Sequence, residues 1–291
     1  MDLNDLLTKR NIDPEHVLVL RHRPPELPLQ EALPWLAADR PENYNAYQQS
    51  PRSVLVEAKM LKAEYIASFI GLTPGRAIFV GLYRNTGSHV LSSEQYCQHP
   101  LKQEQYRIAE KDIFAYARPG IRWFDLQLMD DYQDWKGKLE VVWPGTDRAW
   151  HRWAKSNQFR IHAIHPDSIL TPALPEWDTL VLSWEQLQVI PTVWQTHLSQ
   201  WRCIYYIFDK GTGKGYVGSA YGHDNLLSRW KGYAASGHGG NVLLRRLDHK
   251  NFEFSILQRV SQDAAAEDVI QVENSWKTRL HARQPYGLSD N

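Results

Sequence analysis

Apolar and polar positions alternate most cleanly in the last third of the chain. Phe252, Phe254 and Ile256 alternate with Glu253 and Ser255, which predicts a half-buried strand over Phe252 to Val260. Two further runs rich in aromatic and β-branched residues, Arg202 to Phe208 (RCIYYIF) and Gly215 to Ser219 (GYVGS), flank the Gly-containing DKGTGK and predict a hairpin. Asp224 is the expected N-cap of a helix through Leu226, Leu227 and Trp230 towards Ala235. A short helix over Val242 to Leu247 follows the break at Gly237 to Gly240, and Ala264 to Ala282 has the spacing of a long amphipathic helix. The order β-β-α-(α)-β-α in about 90 residues predicts a three-stranded antiparallel sheet packed on helices.

The earlier part is less regular. Arg76 to Tyr83 (RAIFVGLY) predicts a strand, and Tyr106 to Ile108, Trp123 to Met129, Leu139 to Trp143 and Gln158 to Ile164 are shorter candidates. Thr146 to Ser156 reads as a helix, with Trp150 and Trp153 three apart on one face. These elements suit a mixed, β-rich domain built on a curved sheet or small barrel, so the fold class is α+β. The proline-bearing stretch Pro166 to Trp177 closes that domain, and Leu180 to Ser199 reads as a strand and then a bridging helix. The expected division is therefore 1–192 and 193–291.

Charge narrows the partners only slightly. The chain has 33 Lys and Arg against 33 Asp and Glu, and from Cys203 onward 11 against 9. That excludes the strong basic footprint of a sequence-independent nucleic-acid binder. Nucleic-acid contact would have to use local patches such as Arg245, Arg246, His249 and Lys250. Twelve tryptophans, most of them before Trp201, fit a large apolar core or an aromatic-lined cleft equally. No apolar run reaches the roughly 18 residues that span a bilayer, and MDLNDLLTKR lacks the layout of a secretory signal. A cytoplasmic protein without a membrane partner is expected. Cys97 and Cys203 form no C-x-x-C pair, which argues against a disulfide framework or a cysteine zinc site.

Two charged residues stand out against apolar faces. Val269, Glu273, Trp276 and Leu280 share one stripe of the last helix, so Glu273 puts a carboxylate where packing is expected. A carboxylate there needs an ionic partner or a metal. Leu226, Arg229 and Tyr233 share a face of the preceding helix, and an Arg there suits a phosphate or a carboxylate. Arg229 as the partner of Glu273 would account for both without catalysis.

Two tyrosines on the hairpin add a more specific signal. Cys203-Ile204-Tyr205 and Tyr216-Val217-Gly218 sit on its two strands, and with Arg229, Tyr233 one turn later, Glu273 and the closing turn at Asn291 they resemble the GIY-YIG nuclease superfamily. Cys203 stands where the first Gly is usual, Tyr233 where several relatives use His, and Ser289 at a position often Asn. The resemblance implies hydrolysis of DNA phosphodiesters to 5′-phosphate and 3′-hydroxyl ends. It gives Glu273 one divalent ion, Mg²⁺ or Mn²⁺, and Arg229 the scissile phosphate. Tyr205 or Tyr216 would take a proton from the attacking water, and Tyr233, Lys214, His238 and Asn291 would support them.

The first part resembles regions joined to GIY-YIG domains in bacterial restriction-type proteins. The shared features are Arg21-His22-Arg23, the Tyr44, Tyr47 and Gln48 cluster, and FVGLYR at Phe79 to Arg84. A PUA-like small barrel that reads a modified base is the form expected. Tyr44, Tyr47, Trp123, Trp143, Trp150 and Trp153 are the aromatics on which a flipped base could stack, and each is equally a core residue. The expected partner is double-stranded DNA, with modified cytosine as the mark and a homodimer for double-strand cutting. The alternatives are a sequence- or structure-specific nuclease on unmodified DNA, and a DNA-binding adaptor with a degenerate nuclease domain.

Overall fold

The chain divides after Pro172 into two units, Met1–Pro172 and Ala173–Asn291. The computed structural model describes residues 1–289 apart from Ala117, Asp147 and Asp224. The N-cap expected at Asp224 and the supporting role expected for Asn291 therefore lie outside the described residues.

The first unit begins with α1 (Leu3–Lys9), β1 (Val17–His22), α2 (Leu27–Asp39), α3 (Pro41–Gln49), α4 (Val54–Met60), β2 (Tyr65–Ile70) and β3 (Arg76–Leu91). It continues through α5 (Ser93–Gln98), α6 (Pro100–Ile108), β4 (Ile121–Leu128), β5 (Leu139–Val142), β6 (His151–Trp153) and β7 (Ile161–Ile164). Its sheet runs β6-β1-β2-β3-β5-β7, with β4 also on β3. β1 and β2 pair in parallel and the other pairs are antiparallel. β1 is buried along its whole length, as a strand covered on both faces must be. Val17 and Val19 pack with Leu3, Leu6 and Leu7 of α1. Leu18 and Leu20 point the opposite way, onto Val56 and Met60 of α4.

Two local expectations fail here. Tyr106 to Ile108 is the end of α6 and not a strand; Pro100 opens a helix whose buried face includes Lys102, Gln105 and Tyr106, a mixed pattern that a three-residue window cannot show. Thr146 to Ser156 contains β6 and, among its described residues, no helix. Leu18 and Leu20 of β1 pair with Trp153 and His151, so sheet pairing overrides the three-residue Trp spacing.

The second unit begins with β8 (Val181–Ser183), α7 (Trp184–Gln188), α8 (Thr192–Leu198), β9 (Cys203–Asp209) and β10 (Lys214–Ala220). α9 (Asn225–Ser236), β11 (Phe252–Arg259) and α10 (Ala266–Arg279) complete it. The sheet is antiparallel in the order β10-β9-β11-β8. It has four strands where three were expected, because the strand read near Leu180 is β8, which lies before the expected boundary and pairs with β11. One face, with Ile204 and Val217, packs on Val269 of α10. On the other face Phe254 meets Trp230 and Tyr233 of α9, with ring centroids 6.1 and 5.8 Å apart.

The division expected at 192/193 thus moves to Pro172/Ala173. Leu182 pairs with Phe254 of β11, and Leu180, Leu182, Trp184, Leu187, Val189 and Ile190 are all buried. At about 1.5–3 kcal/mol per buried apolar side chain, removing six rivals the whole stability of a domain, about 5–15 kcal/mol. A fragment of residues 173–291 should melt cooperatively by circular dichroism, and one of residues 193–291 should not. Equal melting of the two would restore the later boundary.

Candidate active site

The hairpin geometry fixes the two tyrosines. Tyr205 pairs with Gly218 and Ile207 with Tyr216, so Tyr205 and Tyr216 are diagonal neighbours on one face of the sheet. Tyr233 comes down on them from α9. The three rings form a triangle with centroids 6.0 to 6.5 Å apart, and the Tyr205 and Tyr233 hydroxyls hydrogen-bond at 3.1 Å. Tyr205 and Tyr233 are buried and Tyr216 is partly exposed. Gly218 makes room for this cluster. A Cβ there would lie 2.5 Å from the Tyr205 hydroxyl and 2.9 Å from Cε1 of Tyr216.

β10 is an end strand of the sheet, and the site wraps around it. Tyr216 belongs to the α9 face, whereas Ser219, an odd number of residues away, belongs to the α10 face. Both line a cavity of about 320 Å³ together with Tyr205, Tyr221, Arg229, Glu273 and Lys277. The outer edge of β10 is taken up by the chain's last described residues. Leu288 N–H donates to the Gly215 carbonyl at 2.9 Å, and Val217 N–H donates to Ser289 Oγ at 3.0 Å. Ser289 is fully buried, so the tail serves the backbone of the strand that carries Tyr216.

Glu273 does turn towards a polar cavity, but its ionic partner is not Arg229. Lys277, one turn further along α10, ion-pairs with Glu273 Oε1 at 2.7 Å, and Ser219 Oγ donates to Glu273 Oε2. Arg229 is exposed and makes no ion pair with a carboxylate among the described residues. Its guanidinium therefore stands at the cavity available to an incoming anion. The phenol of Tyr205 is held well above its ordinary pKa, first by burial and then by Tyr233 and Tyr216, with Arg229 opposing weakly. Burial likewise raises Tyr233. Both phenols therefore keep their protons at neutral pH and act as hydrogen-bond donors.

Of the supporting residues expected from the sequence, Lys214 donates to the Pro285 carbonyl at 2.8 Å. His238 folds back on its own loop, its Nδ1 accepting from Gly240 N–H at 3.0 Å. Neither lines the cavity. Ser219 and Lys277 were not anticipated. The Glu273/Lys277 spacing was visible, but a Glu followed by Lys four residues later usually marks a solvated helix face. The six candidate base-reading aromatics also separate. Tyr47 and Trp150 line a second cavity, in the first unit. Tyr44 and Trp143 are core residues, Trp123 is buried against His99, and Trp153 packs beside Leu18 and Val56.

A carboxylate, a guanidinium, an ammonium and phenols thus surround one open cavity. Among the described residues no group of three or more His, Cys, Asp or Glu could hold a metal ion. No helix is long and apolar enough to cross a membrane, again among the described residues.

Residues 202–286 match the family model described as the GIY-YIG catalytic domain. Two solved structures are similar to part of the chain. One is the catalytic domain of the homing endonuclease I-TevI, 27% identical, covering 31% of this chain and 99% of that one with a TM-score of 0.26. The other is a mutant of the catalytic domain of the intron endonuclease I-TevI, 26% identical, covering 31% and 93% with a TM-score of 0.26. No curated protein matches the sequence.

Proposed function

We propose, from the premise that residues 202–286 are a GIY-YIG nuclease domain, that the chain is a divalent-metal-dependent DNA endonuclease of the restriction type. In this reading the first unit, PUA-like in role, selects the DNA and reads a modified base, and the second unit cuts. The convergence of Tyr205, Tyr216, Arg229 and Glu273 on one cavity carries the proposal. A single carboxylate with free lone pairs suits Mg²⁺ or Mn²⁺, since Mg²⁺ is often held by one or two carboxylates, with substrate phosphates and water filling the rest. Glu273 would hold the ion, which when bound supplies Lewis-acid stabilisation of the departing 3′ oxygen.

The remaining steps belong to the chain's own groups. Arg229 contacts the non-bridging oxygens of the scissile phosphate, an interaction that strengthens as negative charge develops. Lys277 and Ser219 hold the Glu273 carboxylate in one orientation. Tyr205, which keeps its proton, orients the attacking water, Tyr233 holds the Tyr205 hydroxyl, and the partly exposed Tyr216, once its own proton has gone to solvent, accepts the proton of the water. A homodimer would supply two such sites for a double-strand cut, and a cytoplasmic location suits a protein that meets DNA.

The test is digestion of plasmid and phage DNA, plain and carrying modified cytosine, with Mg²⁺ or Mn²⁺. Metal-dependent cuts with ligatable 5′-phosphate and 3′-hydroxyl ends are expected, and Glu273→Gln should abolish them. Cutting of plain DNA alone would favour a sequence- or structure-specific nuclease. Binding to every substrate without any cut would overturn the nuclease reading in favour of an adaptor.

A further inference from the structure

A larger cavity, of about 540 Å³, lies wholly within the first unit. That falls in the range of pockets for whole small molecules, roughly 300–1,000 Å³. Its walls are aromatic where Tyr47 and Trp150 flank His22, with ring centroids 5.3 and 6.1 Å from the imidazole. His22 Nε2 in its lining is buried and has no hydrogen-bond partner in the protein, and the nearby Ser50 hydroxyl interacts with the Tyr96 phenol. A buried polar atom without a partner is costly, so one in a cavity points to something that satisfies it. Burial lowers the His22 imidazole to about 4, with Gln48 opposing, and lowers the Lys102 ammonium of the same lining to about 7. The interior thus favours neutral groups that both donate and accept hydrogen bonds. The exposed part of the lining differs: it holds Arg23, Arg52 and Arg148, with Arg52 ion-paired to Glu26 at 3.2 Å.

Aromatic walls, neutral polar atoms in the buried lining and cations in the exposed part match a nucleotide whose base is inside and whose phosphates stay outside. A bare pyrimidine would leave much of the volume unfilled, and a methyl group could not hydrogen-bond His22 Nε2. We propose that this cavity receives a single base swung out of DNA, and that it prefers a base whose ring carries a hydroxyl-bearing substituent. The inference rests on the reading that the first unit selects the DNA.

The test uses the full chain with Glu273→Gln, to prevent cutting, and labelled duplexes bearing one cytosine, 5-methylcytosine, 5-hydroxymethylcytosine or glucosylated 5-hydroxymethylcytosine. The hydroxyl-bearing duplexes should bind at least about tenfold more tightly than the first two. Ser50→Ala, which removes a buried hydroxyl of the lining, should shrink that ratio. Ser53→Trp, at a lining position whose side chain caps no helix, should abolish it. Equal affinity for the four duplexes overturns the proposal, as does a preference that survives both variants. Tight binding of free 5-hydroxymethyl-dCMP with no preference among duplexes also overturns it, by making the cavity a metabolite site. Cleavage by the unmutated chain keeps the two readings apart. Cutting without preference removes only the base pocket, whereas preference without cutting removes only the nuclease.

Discussion

Replacing Arg229 by alanine should slow strand cleavage by at least about 100-fold, the usual cost of removing one group that stabilises charge in the transition state. The melting temperature should not change. Arg229 is exposed and pairs with no carboxylate among the described residues, so its loss strands no buried charge. Its neighbours Leu226 and Trp230 are fully buried and hold α9 in place without it. Arg229→Lys should recover part of the rate, because an ammonium keeps the charge but not the planar fork that fits two phosphate oxygens. Single-turnover cleavage beside a thermal melt measures both. An unchanged rate would remove Arg229 from the site, and a large fall in melting temperature would make its role structural.

Gly218→Ala should have an effect of similar size by a different route. The new Cβ would sit 2.5 Å from the Tyr205 hydroxyl and 2.6 Å from its Cζ, distances that no packed structure tolerates. Tyr205 is buried and bonded to Tyr233, so the displacement is passed to the whole tyrosine cluster. Misplacing reacting groups by about 1 Å can cost on the order of 100-fold in rate. Gly222→Ala is the control, since nothing lies within 4 Å of its Cβ position. Cleavage at the unmutated rate by Gly218→Ala would show that the tyrosine arrangement does not govern catalysis.

The parts of the site that could be read from the sequence share one property: their signal is local. Tyr205 and Tyr216 flank a short hairpin, so alternation alone puts them on one face. Glu273 interrupts an apolar stripe within a single helix. What escaped notice depends on elements far apart in the chain. Lys277 becomes a buried partner of Glu273 only because α10 lies against β10. β6 is three residues long and exists only through its pairing with β1. The first-unit cavity gathers His22, Ser50, Lys102 and Trp150 from four separate stretches. Its early RHR and Tyr47/Gln48 features were noticed, but no spacing could join them to Lys102.

The tail along β10 also limits how two copies could assemble. Gly215 and Val217 spend their outward carbonyl and amide on Leu288 and Ser289, and an edge already bonded cannot extend its sheet into a second molecule. The opposite end of the sheet offers only β8, three residues long. Two protomers cutting opposite strands would therefore meet through side chains on their helices and loops, or on the DNA itself, and their separation would be set by the duplex more than by a shared sheet.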